Sequence, residues 1–432
     1  MAEQPTTYAE ALAELDDILD ELESADVDVD QLAERVRRAA ELIGTCRERI
    51  GAARMQIDEV VAGLETDEQG AAPPSLTSMG VPPESLSGIA SRVDSVLEAL
   101  LATESQRWAD LDPALAEPLE ESPRMVRSGG KRLRPAFCHW GFIAAGGAVT
   151  EAEASDSSVV VAGAALELLH AQALFHDDVI DDADSRRGSP TTHQRFADRH
   201  VGGGWAGEAR RFGEGVAILV GDLAGVYADR LIGNASGDTR AIWDELRIEV
   251  DVGQLLDVLG SASRDRSLER AERVCRYKSA KYSIERPLHL GASLADASET
   301  VIAALSDYGL PLGEAFQMRD DVIGVFGDPA LTGKPVGGDL RESKPTPLLA
   351  RAFAAASASQ RVVLERAGAP DLSDAEVADI QQVIIDTGAL IDLEEAINGR
   401  LQRAVGALDE RVNSAAVGPL TELAAFIVDR TA

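Results

Sequence analysis

Cysteine is scarce in this chain of 432 residues: the three present, Cys46, Cys138 and Cys275, are odd in number and far apart. That spacing excludes a disulfide framework and a zinc-ligand pattern, and it suits a reducing cytoplasm. Positive charge is scarce as well. Lys and Arg total 41 against 74 Asp and Glu, a formal net charge of −33. Such an acidic balance argues against direct nucleic-acid binding, which needs basic stripes, and against adsorption to an anionic membrane. The apolar run at residues 159–166 is too short to span a bilayer and is closed by Glu167. The opening segment, MAEQPTTYAEALAELDDILDELE, is acidic and amphipathic, unlike a signal or transit peptide. A soluble, cytoplasmic protein with no stable membrane insertion is therefore expected. Alternating β-branched runs are also missing, and the glycine-rich residues 202–215 lack both G-x-G-x-x-G order and a preceding strand, so they read as a loop. What remains is an all-α chain, long enough for two or three domains and, at 45% hydrophobic and 27% charged, globular in composition.

The most informative stretch is residues 167–193, ELLHAQALFHDDVIDDADSRRGSPTTH. Leu168, Leu169, Ala171, Leu174 and Phe175 recur at helical spacing and lead into Asp177, Asp178, Asp181, Asp182 and Asp184. On a helix, Asp177 and Asp181 share a face, about 6 Å apart along the axis. Acids at a helix C-terminus oppose the macrodipole, a cost that a bound cation explains. Oxygen ligands alone suit a hard divalent ion, above all Mg²⁺, which shares its coordination with waters and substrate phosphates. Arg186 and Arg187 follow, with planar forks that match phosphate oxygens. The bland alternative, a solvated acidic helix end, does not explain why the charges follow an apolar face so closely.

Three further pieces converge on the same chemistry. SGGKRLRP places Lys131, Arg132 and Arg134 behind Gly129 and Gly130, which let the backbone turn closely. RYKSAKYS puts Lys278 and Lys281 on a predicted helix. FQMRDDVIGVFGDPALTGKPVGGD repeats the acidic pair as Asp320 and Asp321 and adds Lys334, and Lys344 follows in RESKPTPLL. One DD pair is weak. Two, each ending an apolar helix and each trailed by cations, point to a diphosphate–metal site.

These segments resemble the trans-prenyltransferases of the polyprenyl diphosphate synthase family, close to geranylgeranyl diphosphate synthases, from about residue 89 to the C-terminus. The resemblance implies an isoprenoid synthase-type helical bundle around a central cavity. It also implies Mg²⁺-dependent head-to-tail condensation of isopentenyl diphosphate with an allylic diphosphate, and a homodimer. Three Mg²⁺ ions bound with the allylic diphosphate are implied, held by Asp177, Asp178, Asp181, Asp320 and Asp321. Asp177, Asp181, Lys278 and Asp320 are the implied catalytic residues. Lys131, Arg134, His170 and Arg187 would hold isopentenyl diphosphate; Arg186, Lys278, Ser279, Gln317, Lys334 and Lys344 would surround the allylic diphosphate. His170 on its own would read as a satisfied core histidine. Gly324 departs from relatives that carry a third aspartate there, and Ser279 replaces a commoner threonine while keeping its hydroxyl. The cavity should run down the helix before Asp177. Ala173 and Gln172 sit one turn below the metal face and neither is aromatic, with Leu169 about a turn deeper, so a C20 (geranylgeranyl) or somewhat longer product is expected.

The N-terminal part reads as a unit of its own. Tyr8, Leu12, Leu15, Leu19 and Leu22 mark one helix face, and Val29, Leu32, Val36, Ala39, Ile43, Cys46, Ile50, Ala53, Ile57 and Val60 form a coiled-coil seam on a second helix. This segment resembles the small subunit of exodeoxyribonuclease VII over about the first 62 residues, with LIGTCRERI its most specific piece. That family's small subunit wraps its large partner and holds no nuclease chemistry. The expected organisation is residues 1–64 as a helical hairpin that can bind a protein partner, 65–84 as a Pro/Gly/Ser-rich linker, and 85–432 as the catalytic domain. Competing readings are a terpene cyclase or head-to-head synthase, which have no need of the basic clamp in GGKRLRP and RRGSPTTH, and a non-catalytic regulatory or nuclease-associated subunit, which would be expected to have lost acids or arginines.

Overall fold

The computed structural model describes residues 84–149, 157–327, 337–342 and 344–430. The N-terminal hairpin, the linker up to residue 83 and Lys334 lie outside these. The described chain is helical nearly throughout. It runs through α1 (Glu84–Leu111), a short turn to α2 (Ala116–Leu119) and α3 (Glu121–Arg127), then α4 (Leu133–Ala144) and α5 (Ser158–Ile180). A two-stranded ribbon, β1 (Ser185–Arg186) and β2 (Ser189–Pro190), leads to α6 (Thr192–Gly202), α7 (Ala209–Ile232), α8 (Gly237–Ser263) and α9 (Leu268–Val274). A π-helical stretch (Cys275–Glu285) follows, then α10 (Arg286–Ser293) and α11 (Glu299–Phe326). The chain closes with α12 (Gly338–Arg341), α13 (Pro347–Ala355), α14 (Ala358–Leu364), α15 (Asp374–Asp386), α16 (Ala389–Gly406) and α17 (Ser414–Val428).

Helix α5 is apolar around most of its circumference, and that dictates its place. Its mean hydropathy reaches 1.6 over 18 residues, long and apolar enough to cross a membrane by composition. The run is longer than residues 159–166 alone suggested. Instead it is buried against α1, α4 and α7, with Ala164, Ala165, Leu166 and Leu168 fully covered. A helix hydrophobic all round belongs in a core. It stops where Asp182 takes a left-handed backbone (φ 51°), with the Ala183 amide donating to the Asp178 carbonyl. Asp is one of the few residues that tolerates this geometry.

Two sequence expectations change here. The glycine-rich loop is shorter than residues 202–215, because α7 already begins at Ala209 and Gly213 lies inside it. A Cβ at Gly213 would stand 2.0 Å from the His193 carbonyl oxygen, so this glycine serves helix packing and not a turn. The predicted helix around Lys278 is a π-helix. Such widened turns recur at functional sites. Here the stretch sends Lys278 toward the acidic end of α5 and Lys281 to Glu249 of α8, at 2.7 Å.

Buried histidines make the fold acid-sensitive. His289 is 3% exposed, with its Nε2 2.9 Å from the Ser306 hydroxyl, and burial first, then Arg286, lowers its pKa to about 4. Burial, then Arg92, lowers His139 to about 4 as well. An unfolded chain protonates these rings near pH 6.5, whereas the native state resists until about pH 4, so stability is lost as pH falls through that window. Each ring contributes about 3 kcal/mol across it. Urea midpoints measured from neutral pH down to about pH 4.5 should fall, and less steeply in His289→Asn. A variant slope equal to wild type would show that His289 is not the group responsible.

Candidate active site

The end of α5 and the ribbon behind it set the first wall. The ribbon turns through Arg187 (φ 52°) and Gly188 (φ 74°), both left-handed, which makes the tight hairpin turn that two such residues favour. Consecutive arginines therefore diverge. Arg186 folds back onto Asp178 at 2.6 Å, while Arg187 reaches the Ser128 hydroxyl at 2.9 Å and the Gly129 carbonyl. Gly129 and Gly130 both have positive φ (91° and 154°), so the loop before α4 lies close under the Arg187 guanidinium. Arg134 leaves α4 to stack over the Tyr282 ring at 4.4 Å and donates to the Ser283 hydroxyl at 2.9 Å.

The acids are held by cations of the chain itself. Asp177 Oδ1 takes Lys278 Nζ at 3.3 Å and Gln254 Nε2 at 3.1 Å, and Lys278 is shared with Asp257 at 2.5 Å. Burial works against charge on Asp177, but Lys278, Lys344 and Arg186 hold its carboxyl below the usual range. Asp181, one turn on, is pushed up to about 6 by burial and then by Asp177, despite Lys344 at 3.5 Å. From α11, Asp320 is paired with Arg430, near the chain's C-terminal end.

Asp177, Asp320, Lys131, Arg134, Arg187 and Lys278 line one cavity of about 930 Å³. His170, Arg186, Ser279 and Gln317 line it too, as do Leu169, Gln172 and Ala173. His170 is held neutral: burial, then Arg134 and Arg187, put its pKa well below the ordinary value. Lys344 does not line it; its Nζ lies 3.5 Å from Asp181 Oδ2. Asp178 and Asp321 are placed differently from the expectation for metal ligands. Neither lines the cavity, and Asp181 does not either, but Asp178 and Asp321 are each 2% exposed whereas the Asp181 side chain is 23% exposed. A helix turns about 100° per residue, so the face that carries Asp177 and Asp181, or Asp320, carries the neighbouring acid inward. Asp321 accepts from Gln317 at 2.8 Å, and burial, then Asp339, raises its pKa well above the usual range.

Among the described residues no three acidic, histidine or cysteine side chains form a ready-made ion site. The donors nevertheless fit Mg²⁺: carboxylate oxygens one helical turn apart, with a mutual repulsion at Asp177 and Asp181 that a divalent cation relieves. Asp339 was not singled out from the sequence. A Cβ at Gly324 would stand 2.0 Å from its Oδ2, so the Asp339 carboxylate occupies the space that a side chain at residue 324 would take. Gln254, Asp257, Tyr282 and Arg430 were also missed. Gln254, Asp257 and Arg430 belong to no motif, Tyr282 lies within RYKSAKYS where the lysines and Ser279 stood out instead, and all four act through contacts with residues distant in the chain.

Comparison with known proteins agrees with this geometry. The polyprenyl synthetase family matches residues 114–384, and the exonuclease VII small subunit family matches residues 8–59. The chain is 32% identical over 292 residues to a geranylfarnesyl diphosphate synthase of Aeropyrum pernix, covering 66% of this chain and 84% of that one. It is also 32% identical over 304 residues to a geranylgeranyl diphosphate synthase of Mycobacterium tuberculosis, covering 68% and 79%. The crystal structure of a geranylgeranyl pyrophosphate synthase from Corynebacterium glutamicum, complexed with isoprenyl diphosphate and magnesium, is similar in fold. Its TM-score is 0.73 at 35% identity, over 81% of this chain and 100% of that chain.

Proposed function

Because this chain belongs to the polyprenyl synthetase family, whose members are prenyl-transferring enzymes, we propose that it condenses isopentenyl diphosphate head-to-tail with an allylic diphosphate to give a C20 or somewhat longer product. One observation carries this reading. One cavity is lined by acids from two helices, by a cluster of cations and by Leu169, Gln172 and Ala173, none of the last three aromatic.

In this reading Asp177, Asp181 and Asp320 hold Mg²⁺, and Asp178 and Asp321 brace them from behind. Bound Mg²⁺ would neutralise charge on the departing diphosphate. Lys278, Arg186, Lys344, Ser279 and Gln317 surround the allylic diphosphate, so negative charge that develops as the C–O bond breaks meets donors already in place. Lys131, Arg134 and Arg187, with neutral His170, hold isopentenyl diphosphate alongside, and its double bond attacks the allylic cation. The released diphosphate takes the proton lost afterwards. The apolar wall keeps water from quenching the cation. Arg430 meets Asp320 at Oδ1, so a metal there would compete with it or take the other carboxylate oxygen.

A homodimer is part of the proposal. Ile218, Leu219 and Val226 of α7 and Ile248, Val252 and Leu259 of α8 are large apolar side chains left exposed, which an interface with a second copy would cover. We assign residues 1–64 to a separate protein-binding module, supported by the family match at residues 8–59. A cytoplasmic site of action accords with buried, free Cys138 and Cys275.

The test is a product assay with Mg²⁺, labelled isopentenyl diphosphate and dimethylallyl, geranyl or farnesyl diphosphate as separate primers. A C20 or longer product supports the reading; a stop at C15 with excess isopentenyl diphosphate refutes the chain length, and no turnover refutes the activity. In the same assay Ala173→Phe is expected to shorten the product by at least one isoprene unit. Unchanged length would remove Ala173 from the floor.

A further inference from the structure

Helices α5 and α7 approach closely because α7 presents glycines to α5. A Cβ on Gly221 would stand 2.6 Å from His176 Nε2, and one on Gly225 would stand 2.3 Å from Gln172 Oε1. The pairs run antiparallel, four residues apart on each helix, so two side chains of one α5 face rest in two notches on α7. They are held differently. His176 Nε2 is tied to the Ile218 carbonyl at 3.2 Å and lies 3.5 Å from Asp222. Gln172 Oε1 is buried with no hydrogen-bond partner. Its Cδ and Nε2 would lie 2.7 and 3.0 Å from the same Gly225 Cβ, so the whole amide lies over the glycine backbone. The missing side chain at residue 225 is what makes room for it. Gln172 also lines the cavity, beside Ala173 and Leu169.

We propose that Gly225 is a specificity-determining residue of the elongation cavity: its notch stores the Gln172 amide against α7 and so keeps the lumen below the acids open. This rests on the chain-elongation reading above. The amide has no polar tether, so a methyl group at residue 225 meets the far end of a flexible side chain and not backbone. The helices can stay where they are while Gln172 moves, and the space beside it is the lumen. A displaced amide there narrows the path of the growing chain and puts a polar group against an apolar tail. Gly225 thus acts through Gln172 without touching the reacting atoms.

The experiment compares product lengths of wild type, Gly225→Ala, Gln172→Ala and the double variant, with farnesyl diphosphate and excess isopentenyl diphosphate, and with Ala173→Phe as a parallel arm. Gly225→Ala is expected to shift the dominant product down by at least one isoprene unit. Adding Gln172→Ala is expected to restore wild-type length or exceed it, because the group that was displaced is gone. A Gly225→Ala product as long as wild type overturns the proposal, and if Ala173→Phe still shortens, the cavity reading survives without it. Shortening that the double variant fails to reverse also overturns it, since the helices themselves have then moved. Absence of any elongated product from wild type removes the proposal together with the reading it rests on.

Discussion

Asp177→Asn is expected to lower kcat by about 10³-fold, equivalent to about 4 kcal/mol of lost transition-state stabilisation, while leaving the fold intact. The side chain sits where three kinds of support meet: Lys278 at 3.3 Å, Gln254 at 3.1 Å and Arg186 at 3.7 Å. An amide keeps the shape and can still accept from Gln254, so packing survives. What is lost is the negative charge that pairs with Asp181 to attract a divalent cation. Asp178→Asn provides the contrast. Asp178 is buried beside Arg186 and does not face the cavity, so its loss should appear first in stability and in the affinity for the allylic diphosphate, through a misplaced Arg186. Steady-state kinetics and Mn²⁺ binding followed by electron paramagnetic resonance separate the two. If Asp177→Asn and Asp178→Asn weaken Mn²⁺ equally, the assignment of one as ligand and the other as brace is wrong.

That contrast also marks how far the sequence could be read. An apolar helix ending in acids and trailed by two arginines is visible in residues 167–193 because it obeys a local period, and the structure places that helix, α5, as expected. All-α architecture was legible for the same reason. Whether each acid faces the cavity or the core was not. A one-residue step decides it, and the residues that decide it for Asp178 and Asp321 lie on other elements. Arg430 on Asp320 spans 110 positions, and Lys278 on Asp177 spans 101; no local pattern encodes such pairs. Glycines misled in one place and informed in another. Gly213 read as loop because its neighbours are polar and small, yet its purpose is the His193 backbone it lets near. Gly129 and Gly130 read as a close turn, and positive φ at both bears that out. The departure at Gly324 looked like a lost carboxylate; Asp339, fifteen residues on, fills the space it leaves.

Arg132 shows that a cation within a binding motif can be structural, and its removal should cost more stability than any of its neighbours. Lys131, Arg132 and Arg134 all line the cavity, but Arg132 is 9% exposed and its guanidinium is bonded throughout. Its guanidinium takes Glu167 at 2.7 Å, Asp94 at 2.9 Å and the Val126 carbonyl at 2.8 Å, tying the loop before α4 to α1, α3 and α5 at once. Its backbone is left-handed, φ 48°, so side-chain bonds must hold a conformation the residue does not favour. Glu167→Gln leaves a buried guanidinium without its best partner and is expected to lower the unfolding free energy by about 3–5 kcal/mol, read from urea denaturation. Arg132→Met with Glu167→Leu removes both charges from the buried site and should recover most of that loss, since paired apolar replacements are often neutral or better. Asp94, which is partly exposed, can rehydrate. Stability and catalysis should then part company. With no fork to fix residues 128–131, the loop under Arg187 loses its register, and KM for isopentenyl diphosphate should stay raised about tenfold or more even where stability returns. A double variant with wild-type KM would show that the loop is positioned by Gly129 and Gly130 alone.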